Sequence, residues 1–174
     1  MEKITIELIS RSNAIEVLEF ERENRQFFES TLPSRGDKYY EEEFFMEIIE
    51  EIIEEQTEGQ CYMYVIRNEL GKVVGRVNLF SVVRGMFEKA EIGYRIGQKH
   101  NGKGYATKAV ELAIDEGFNK YNLHRIEAGT SPNNIGSQIV LIKNGFQFIG
   151  RTRDVIRINN KWEDGILFER LNNK

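Results

Sequence analysis

The sequence predicts a mixed α/β fold, and three observations carry that expectation. The apolar spacing changes between the helical and the alternating period several times along the chain. The early strands are separated by short turns, as antiparallel neighbours are. A glycine-punctuated loop, "GQKHNGKGYATKAV" (residues 97–110), then runs from a strand into an amphipathic helix, which suits a helical crossover near the centre of a sheet. The 174 residues fit one domain, 1–174, with room for a core of ordinary size.

Taken in order, "KITIELI" alternates as a strand. Ser12 offers an N-cap for "NAIEVLEFERENRQFF", whose Ile15, Leu18, Phe20 and Phe27 suit a helix. Pro33 and Gly36 break that helix. Residues 39–55 predict a second one, with Phe45, Ile48, Ile49, Ile52 and Ile53 in a single apolar stripe. After Gly59 the period becomes alternating: "CYMYVIR", a turn at 68–72 and "VVGRVNLF" read as a hairpin, and 89–96 as a third antiparallel strand beyond the break at Arg84 and Gly85. The glycine loop follows, with a helix to about residue 120 that places Ala106, Ala109, Val110, Ala113, Ile114 and Gly117 on one face. "HRIEAGT" is a strand, 134–144 a helix, and "FQFIGRTRDVIRI" with "WEDGILFERL" a closing pair of strands. No internal repeat or low-complexity linker interrupts this order.

Composition narrows the function classes. A net charge of −4 argues against nucleic acid as a partner, because duplex binding depends on Lys and Arg neutralising phosphates. No apolar run approaches a membrane span, and "MEKITIELIS" lacks the apolar centre of a signal peptide, so no membrane partner and a cytoplasmic location are expected. One cysteine allows no internal disulfide framework. His100 and His124 stand alone at no metal-ligand spacing, so no metal is expected. Charge is uneven: residues 41–58 are densely acidic and 143–161 mostly basic. The acidic stretch reads either as a solvated helix face or as a lip that steers a cationic amine.

The loop poses the chemical question. Gly97, Gly102 and Lys103 match the first seven places of the phosphate loop GxxxxGK[ST], but Gly104 stands where a Ser or Thr should hold magnesium. The GxGxxG spacing of dinucleotide folds is absent too. A helix starting at Gly104 still turns its first N–H groups outward, and glycines at 102 and 104 let phosphate oxygens approach the backbone closely. A diphosphate held by backbone amides without metal remains, and coenzyme A offers one.

"EIGYRIGQKHNGKGYATKAVELAIDEGF" followed by "LHRIEAGTSPNNIGSQIVLIKNGFQFIGRTR" resembles the GNAT superfamily of acetyl-CoA-dependent N-acetyltransferases, and within it the ribosomal-protein-alanine (Rim-type) branch. "NRQFFESTLP" and "KWEDGILFERL" also look like that branch, so the resemblance covers most of the chain. It implies the GNAT fold, a mixed central sheet of about seven strands with helices on both faces, and acetyl-CoA as co-substrate. The family's pyrophosphate motif falls on Asn101, Gly104 and Ala106, with Asn101 in place of the usual Arg or Gln. The implied cofactor residues are Asn101, Gly102, Lys103, Gly104, Tyr105, Ala106 and Thr107 in the loop, Tyr94, Arg95 and Ile96 along the pantetheine arm, and Asn134 in the second motif. The resemblance also implies an amine acceptor, either a peptide N-terminus or a small amine such as a polyamine or drug. A dimer that shares the acceptor cleft and a catalytically silent CoA-binding module both stay open.

Direct acetyl transfer needs a neutral amine, and an α-amine with a pKa of about 8 needs far less help than a lysine at about 10.4. Glu91 is the first candidate base, with pairing to a cation on its own strand face as the alternative. Glu127 on the next strand is either an approach residue or a salt-bridged one. Many relatives carry a tyrosine acid where this chain has Leu141; Ser137, which matches the Rim-type branch, is the candidate hydrogen-bond donor to the thioester sulphur, or else a structural hydroxyl. Phe27, Phe28, Tyr39 and Tyr40 fall where that branch walls its acceptor site, with core packing as the alternative. Cys61 reads as a small core residue rather than a nucleophile.

Overall fold

A computed structural model describes residues 3–158 and 160–173. Strand β1 (Ile4–Leu8) leads into helix α1 (Ala14–Glu29), a 3-10 turn (Asp37–Tyr40) and helix α2 (Glu42–Thr57). Strands β2 (Tyr62–Asn68), β3 (Val73–Val83) and β4 (Lys89–Ile96) form an antiparallel meander. Helix α3 (Tyr105–Asp115), prolonged by a π turn (Glu116–Lys120), crosses to β5 (Arg125–Thr130). Helix α4 (Ile135–Lys143) and the hairpin of β6 (Gln147–Ile158) and β7 (Lys161–Leu171) complete the chain.

The sheet has seven strands in the order β1-β2-β3-β4-β5-β7-β6, matching the expected number and mixed character. Two element boundaries differ from the sequence expectation. Asn13, not Ser12, precedes α1, and its side chain turns back to accept from the Ser10 N–H at 2.9 Å. Residues 39 and 40 belong to the 3-10 turn rather than to α2, because the backbone is extended at Glu41 (φ −79°, ψ 133°) and helix begins only after it.

Strand alternation divides the core between the two faces of the sheet. Even positions of β4 (Ala90, Ile92, Ile96) join Ala109, Val110, Ala113 and Ile114 of α3 and Ile126 of β5 in one cluster. A Cβ built at Gly117 would come within 3.0 Å of Ile126, so the small-residue face brings the crossover helix hard against the sheet. On the other face α1 and α2 pack Val17, Leu18, Phe45 and Ile49 against Val65 of β2.

The parallel pairing of β4 with β5 is short. It covers Lys89 with Arg125, Ala90 with Ile126 and Glu91 with Glu127, whereas β5 pairs with β7 along its whole length from Arg125 to Thr130. Beyond Glu91 the two strands part, and residues 92–96 have no partner on that edge. A wedge thus opens in the middle of the sheet.

Candidate active site

The wedge exposes backbone of known direction. The Gly97 N–H donates to Val74 O at 2.9 Å, towards β3. Alternation therefore points the N–H and C=O groups of Tyr94 and Ile96 away from β3, into the gap. Arg95, between them, turns its backbone to β3 and its side chain to the α1 face, where Nη1 donates to Glu21 Oε2 at 3.1 Å. Of the three residues placed along the pantetheine arm, Tyr94 and Ile96 face the wedge and Arg95 does not.

Beyond the C-terminal end of β4 the loop leads through two positive-φ glycines into the N-terminus of α3. Gly102 (φ 77°) and Gly104 (φ 82°) both take the left-handed conformation, and a Cβ built on either would meet nothing within 4 Å. The first intrahelical bond of α3 runs from Lys108 N–H to Gly104 O at 3.1 Å, so the N–H groups of Gly104, Ala106 and Thr107 precede it and project from the helix N-terminus. The first turn carries no acidic side chain that would compete for them, and Asn101, Gly102 and Lys103 lie exposed beside it. Tyr105 is buried in the core beneath. Asn144 Nδ2 donates to Thr107 O at 3.1 Å, which ties the end of α4 to the first turn of α3.

The mouth of the wedge is bridged by Tyr94 and Ser137. Their hydroxyl oxygens lie 2.8 Å apart, and the Tyr94 hydroxyl also reaches Ser137 O at 3.1 Å. Burial lifts the Tyr94 phenol to about 12, with the Ser137 hydrogen bond pulling the other way. Asn134 caps α4, its Oδ1 accepting from the Ser137 N–H at 3.1 Å. Leu141, where many relatives have a tyrosine, is packed in the core.

On the opposite face Glu91 is exposed, paired across the sheet with Phe80 and beside Glu127. Glu127 is half-buried and bonded to Lys89 Nζ at 3.0 Å and Arg125 Nε at 2.7 Å. Burial pushes its carboxyl up, but the two cations outweigh that and hold it below the usual range, which makes it a salt-bridged strand residue. Of the two candidate carboxylates, Glu91 is the exposed one and Glu127 the salt-bridged one. Asn78 sits opposite Gly93, two pairs along from Glu91, with a buried Oδ1 that has no hydrogen-bond partner.

Further along that face lies a cleft of about 320 Å³, lined by Phe28, Leu32, Pro33, Arg35, Tyr40 and Arg95 together with Glu29 and Ser34. Its rim is held in place by Arg22, which donates to Tyr40 O at 2.6 Å, and by Arg25, which joins Glu29 at 3.2 Å to Asp37 at 2.5 Å. Phe28 and Tyr40 line the cleft, while Tyr39 packs against Phe45 in the core. None of residues 41–58 lines it, so the acidic stretch is no lip to this site. A larger cleft, about 660 Å³, lies at the far end of α3 around Glu111, Asp115, Phe118 and Arg170, and none of the candidate catalytic or cofactor residues lines it.

Under the cleft is a buried ion cluster that the sequence reading missed. Glu21 is wholly buried and bridges Arg76 Nη1 at 3.0 Å and Arg95 Nη1 at 3.1 Å. The signal was available: Glu21 continues the helical stripe of Val17 and Leu18, and Arg76 occupies a core position in "VVGRVNLF". Cys61 is also buried; burial first, and then its contact with Glu55, raises its thiol to about 12. Among the described residues no group of three His, Cys, Asp or Glu is arranged to hold a metal, and no helix is long and apolar enough to cross a membrane.

Comparison with known proteins identifies the family of the chain. The family model described as an acetyltransferase (GNAT) domain matches residues 4–147. A probable N-acetyltransferase, YjcK, from Bacillus subtilis is 40% identical over 162 residues, covering 92% of this chain and 90% of its own. The crystal structure of ribosomal-protein-S5-alanine acetyltransferase from Vibrio fischeri superposes with a TM-score of 0.95 at 28% identity, covering 100% of this chain and 96% of that one. RimJ of Mycobacterium smegmatis, solved with CoA-disulfide, shares the fold at TM-score 0.89 and 24% identity, over 97% of this chain and 81% of its own. The chain belongs to the GNAT family and is an acetyl-CoA-dependent N-acetyltransferase.

Proposed function

We propose that this enzyme acetylates the α-amine of a protein or peptide N-terminus by direct attack on acetyl-CoA. The carrying observation is the wedge between β4 and β5. It has the α3 N-terminus at one end, the Tyr94–Ser137 pair on the α4 side, and Glu91 with the acceptor cleft on the other face. Cofactor and acceptor thus approach the same gap from opposite faces of the sheet.

In this reading the pyrophosphate rests on the N–H groups of Gly104, Ala106 and Thr107, and Lys103 adds positive charge. The pantetheine arm lies against Tyr94 and Ile96 like an added strand, and Asn134 fixes the helix that flanks it. Glu91, directly or through a water, takes the proton from the incoming amine. A backbone N–H on the free edge of β4 receives the negative charge of the tetrahedral intermediate. The departing thiolate accepts a hydrogen bond from the Ser137–Tyr94 pair.

Two features favour an α-amine over a polyamine. Glu91 is exposed, so it is suited to an amine that is already partly neutral at a pKa of about 8. Among the described residues Glu29 is the one carboxylate lining the cleft, and it is already engaged by Arg25 and by Ser34 Oγ at 2.7 Å, so it is poorly placed to hold a second cationic centre. The relative solved from Vibrio fischeri is named for an alanine acceptor on a ribosomal protein, which agrees with this choice. The test is thiol release from acetyl-CoA with peptides bearing Ala, Ser or Met N-termini, with polyamines and with aminoglycosides. Turnover of peptides is the expected result; turnover confined to the small amines refutes the peptide reading.

A further inference from the structure

The acceptor cleft is lined by two arginines, Arg35 and Arg95, against one carboxylate, Glu29, which Arg25 and Ser34 already engage. Glu21 is a single carboxylate shared by two guanidiniums, Arg76 and Arg95, so the buried cluster is left with one net positive charge. Arg76 Nε is buried without a partner, so the cluster is also short of acceptors. Arg95 forms part of the cleft wall, its guanidinium 5.1 Å from the centre of the Phe28 ring. Arg35 lines the same cleft with its guanidinium held 4.7 Å from the centre of the Tyr39 ring, and among the described residues no carboxylate forms an ion pair with it. Burial, with repulsion from Arg35 and Arg76 added, draws Arg95 down to about 10, so it stays cationic at neutral pH.

Two guanidiniums beside apolar walls make a strong receptor for one planar anion. Guanidinium bonds to a carboxylate are charge-assisted and frequently bidentate. We propose that Arg35 and Arg95 form an anion subsite that selects acceptors carrying a carboxylate close to the amine that is acetylated. The spacing bounds how close. Arg95 lies four residues beyond Glu91 along β4, roughly 13 Å at the usual strand rise. The arginine side chains shorten that span, and an extended peptide advances about 3.3–3.6 Å per residue, so the carboxylate belongs to an Asp or Glu at the second to fourth position. That placement rests on the peptide reading of the acceptor, whereas the charge preference does not.

The experiment uses matched acceptor pairs in both classes. The peptides begin with Ala and carry Asp or Asn at position two, three or four; the small amines are an ω-amino acid and the diamine of the same length. With the wild-type enzyme, kcat/KM for the Asp peptide should exceed that of its Asn partner at least ten-fold at one of these positions, about 1.4 kcal/mol. The preference should shrink as salt is added, which a purely structural role of these arginines would not produce. Arg35→Gln should bring the ratio close to one, and Arg35→Glu should turn it towards peptides with Lys at that position. Arg35 is the residue to vary because it is exposed, whereas Arg95 is bound into the buried cluster. If only small amines are turned over, the peptide reading fails, and the subsite is judged by whether the amino acid is preferred over the diamine. Equal turnover of the charged and neutral members in whichever class reacts overturns the proposal.

Discussion

Replacing Gly104 by Ala separates a backbone effect from a ligand effect, because the structure supplies a matched control. Gly104 sits at φ 82° and Gly85, in the turn between β3 and β4, at φ 78°; a Cβ on either meets nothing within 4 Å. Neither substitution creates a clash, so both should cost only the strain of a left-handed non-glycine residue, about 1–2 kcal/mol. For a domain of this size that lowers Tm by about 2–8 °C in each variant. Gly85 lies before the start of β4 and Gly104 beyond its end, so only the second is in reach of a pyrophosphate on α3. Acetyl-CoA at a hundred times its Kd should stabilise the wild type by about 2.7 kcal/mol, a rise of about 5–11 °C. A ten-fold loss of affinity at the same concentration leaves about 1.4 kcal/mol, or about 3–6 °C. Thermal unfolding with and without acetyl-CoA reads both numbers. Gly85→Ala should keep the full ligand-induced rise and Gly104→Ala about half of it. An undiminished rise in a folded Gly104→Ala protein would refute placement of the pyrophosphate on this loop.

Four further outcomes follow from the site. Glu91→Gln should lower kcat/KM most at neutral pH and shift the rise of the pH–rate profile towards the acceptor amine's own pKa of about 8; an unchanged profile removes Glu91 from the role of base. Ser137→Ala and Tyr94→Phe, each removing one hydroxyl of the 2.8 Å pair, should both reduce kcat with little change in the KM for peptide, and normal kcat in either would exclude the pair from thiolate stabilisation. Cys61→Ala should retain transferase activity and the native thiol should resist alkylation until the protein unfolds, because burial and Glu55 keep it protonated. Glu21→Gln should be strongly destabilising, by about 3–5 kcal/mol, since it leaves two buried guanidiniums facing an amide. On thermal unfolding that is a Tm loss of about 6–20 °C, and a loss of a degree or two would show that the cluster is better hydrated than its burial indicates.

What could be read from the sequence was what is local. The seven strands, the crossover helix and the glycine loop each follow from a period or a turn within one short stretch. Element boundaries were less legible where capping competes. Asn13 and Ser12 are both good caps, and the chain around Glu41 carries no residue that announces an extended break. The rest of the site depends on contacts between distant residues. Tyr94 and Ser137 are 43 positions apart, and Glu21 and Arg95 are 74 apart. The wedge itself reflects where β4 stops pairing with β5 while β5 stays paired with β7 along its whole length, which no pattern within β4 reveals. Arg95 shows the consequence most clearly. Motif position alone put it against the cofactor, but strand alternation sends its side chain to the acceptor face.

The position of Tyr94 also decides how the leaving group is handled. The tyrosine that many relatives supply from the helix is here Leu141, locked in the core, while a different phenol arrives from β4 and meets Ser137. A phenol lifted to about 12 is a much weaker acid than a thiol, whose ordinary pKa is about 8.5. A thiolate therefore has no driving force to strip the proton from Tyr94, so in the proposed mechanism the pair hydrogen-bonds the departing sulphur rather than protonating it outright. The proton balance then closes through the acceptor. The amine that attacks becomes cationic in the tetrahedral intermediate, and its surplus proton passes to Glu91, to solvent or to the thiolate as the intermediate collapses. With Glu91 exposed, solvent can receive that proton on the acceptor side, while in the proposed mechanism the half-buried hydroxyl pair steadies the sulphur on the cofactor side. An acceptor whose amine is already partly neutral at cellular pH asks least of such a site, which is in keeping with the α-amine proposed as acceptor.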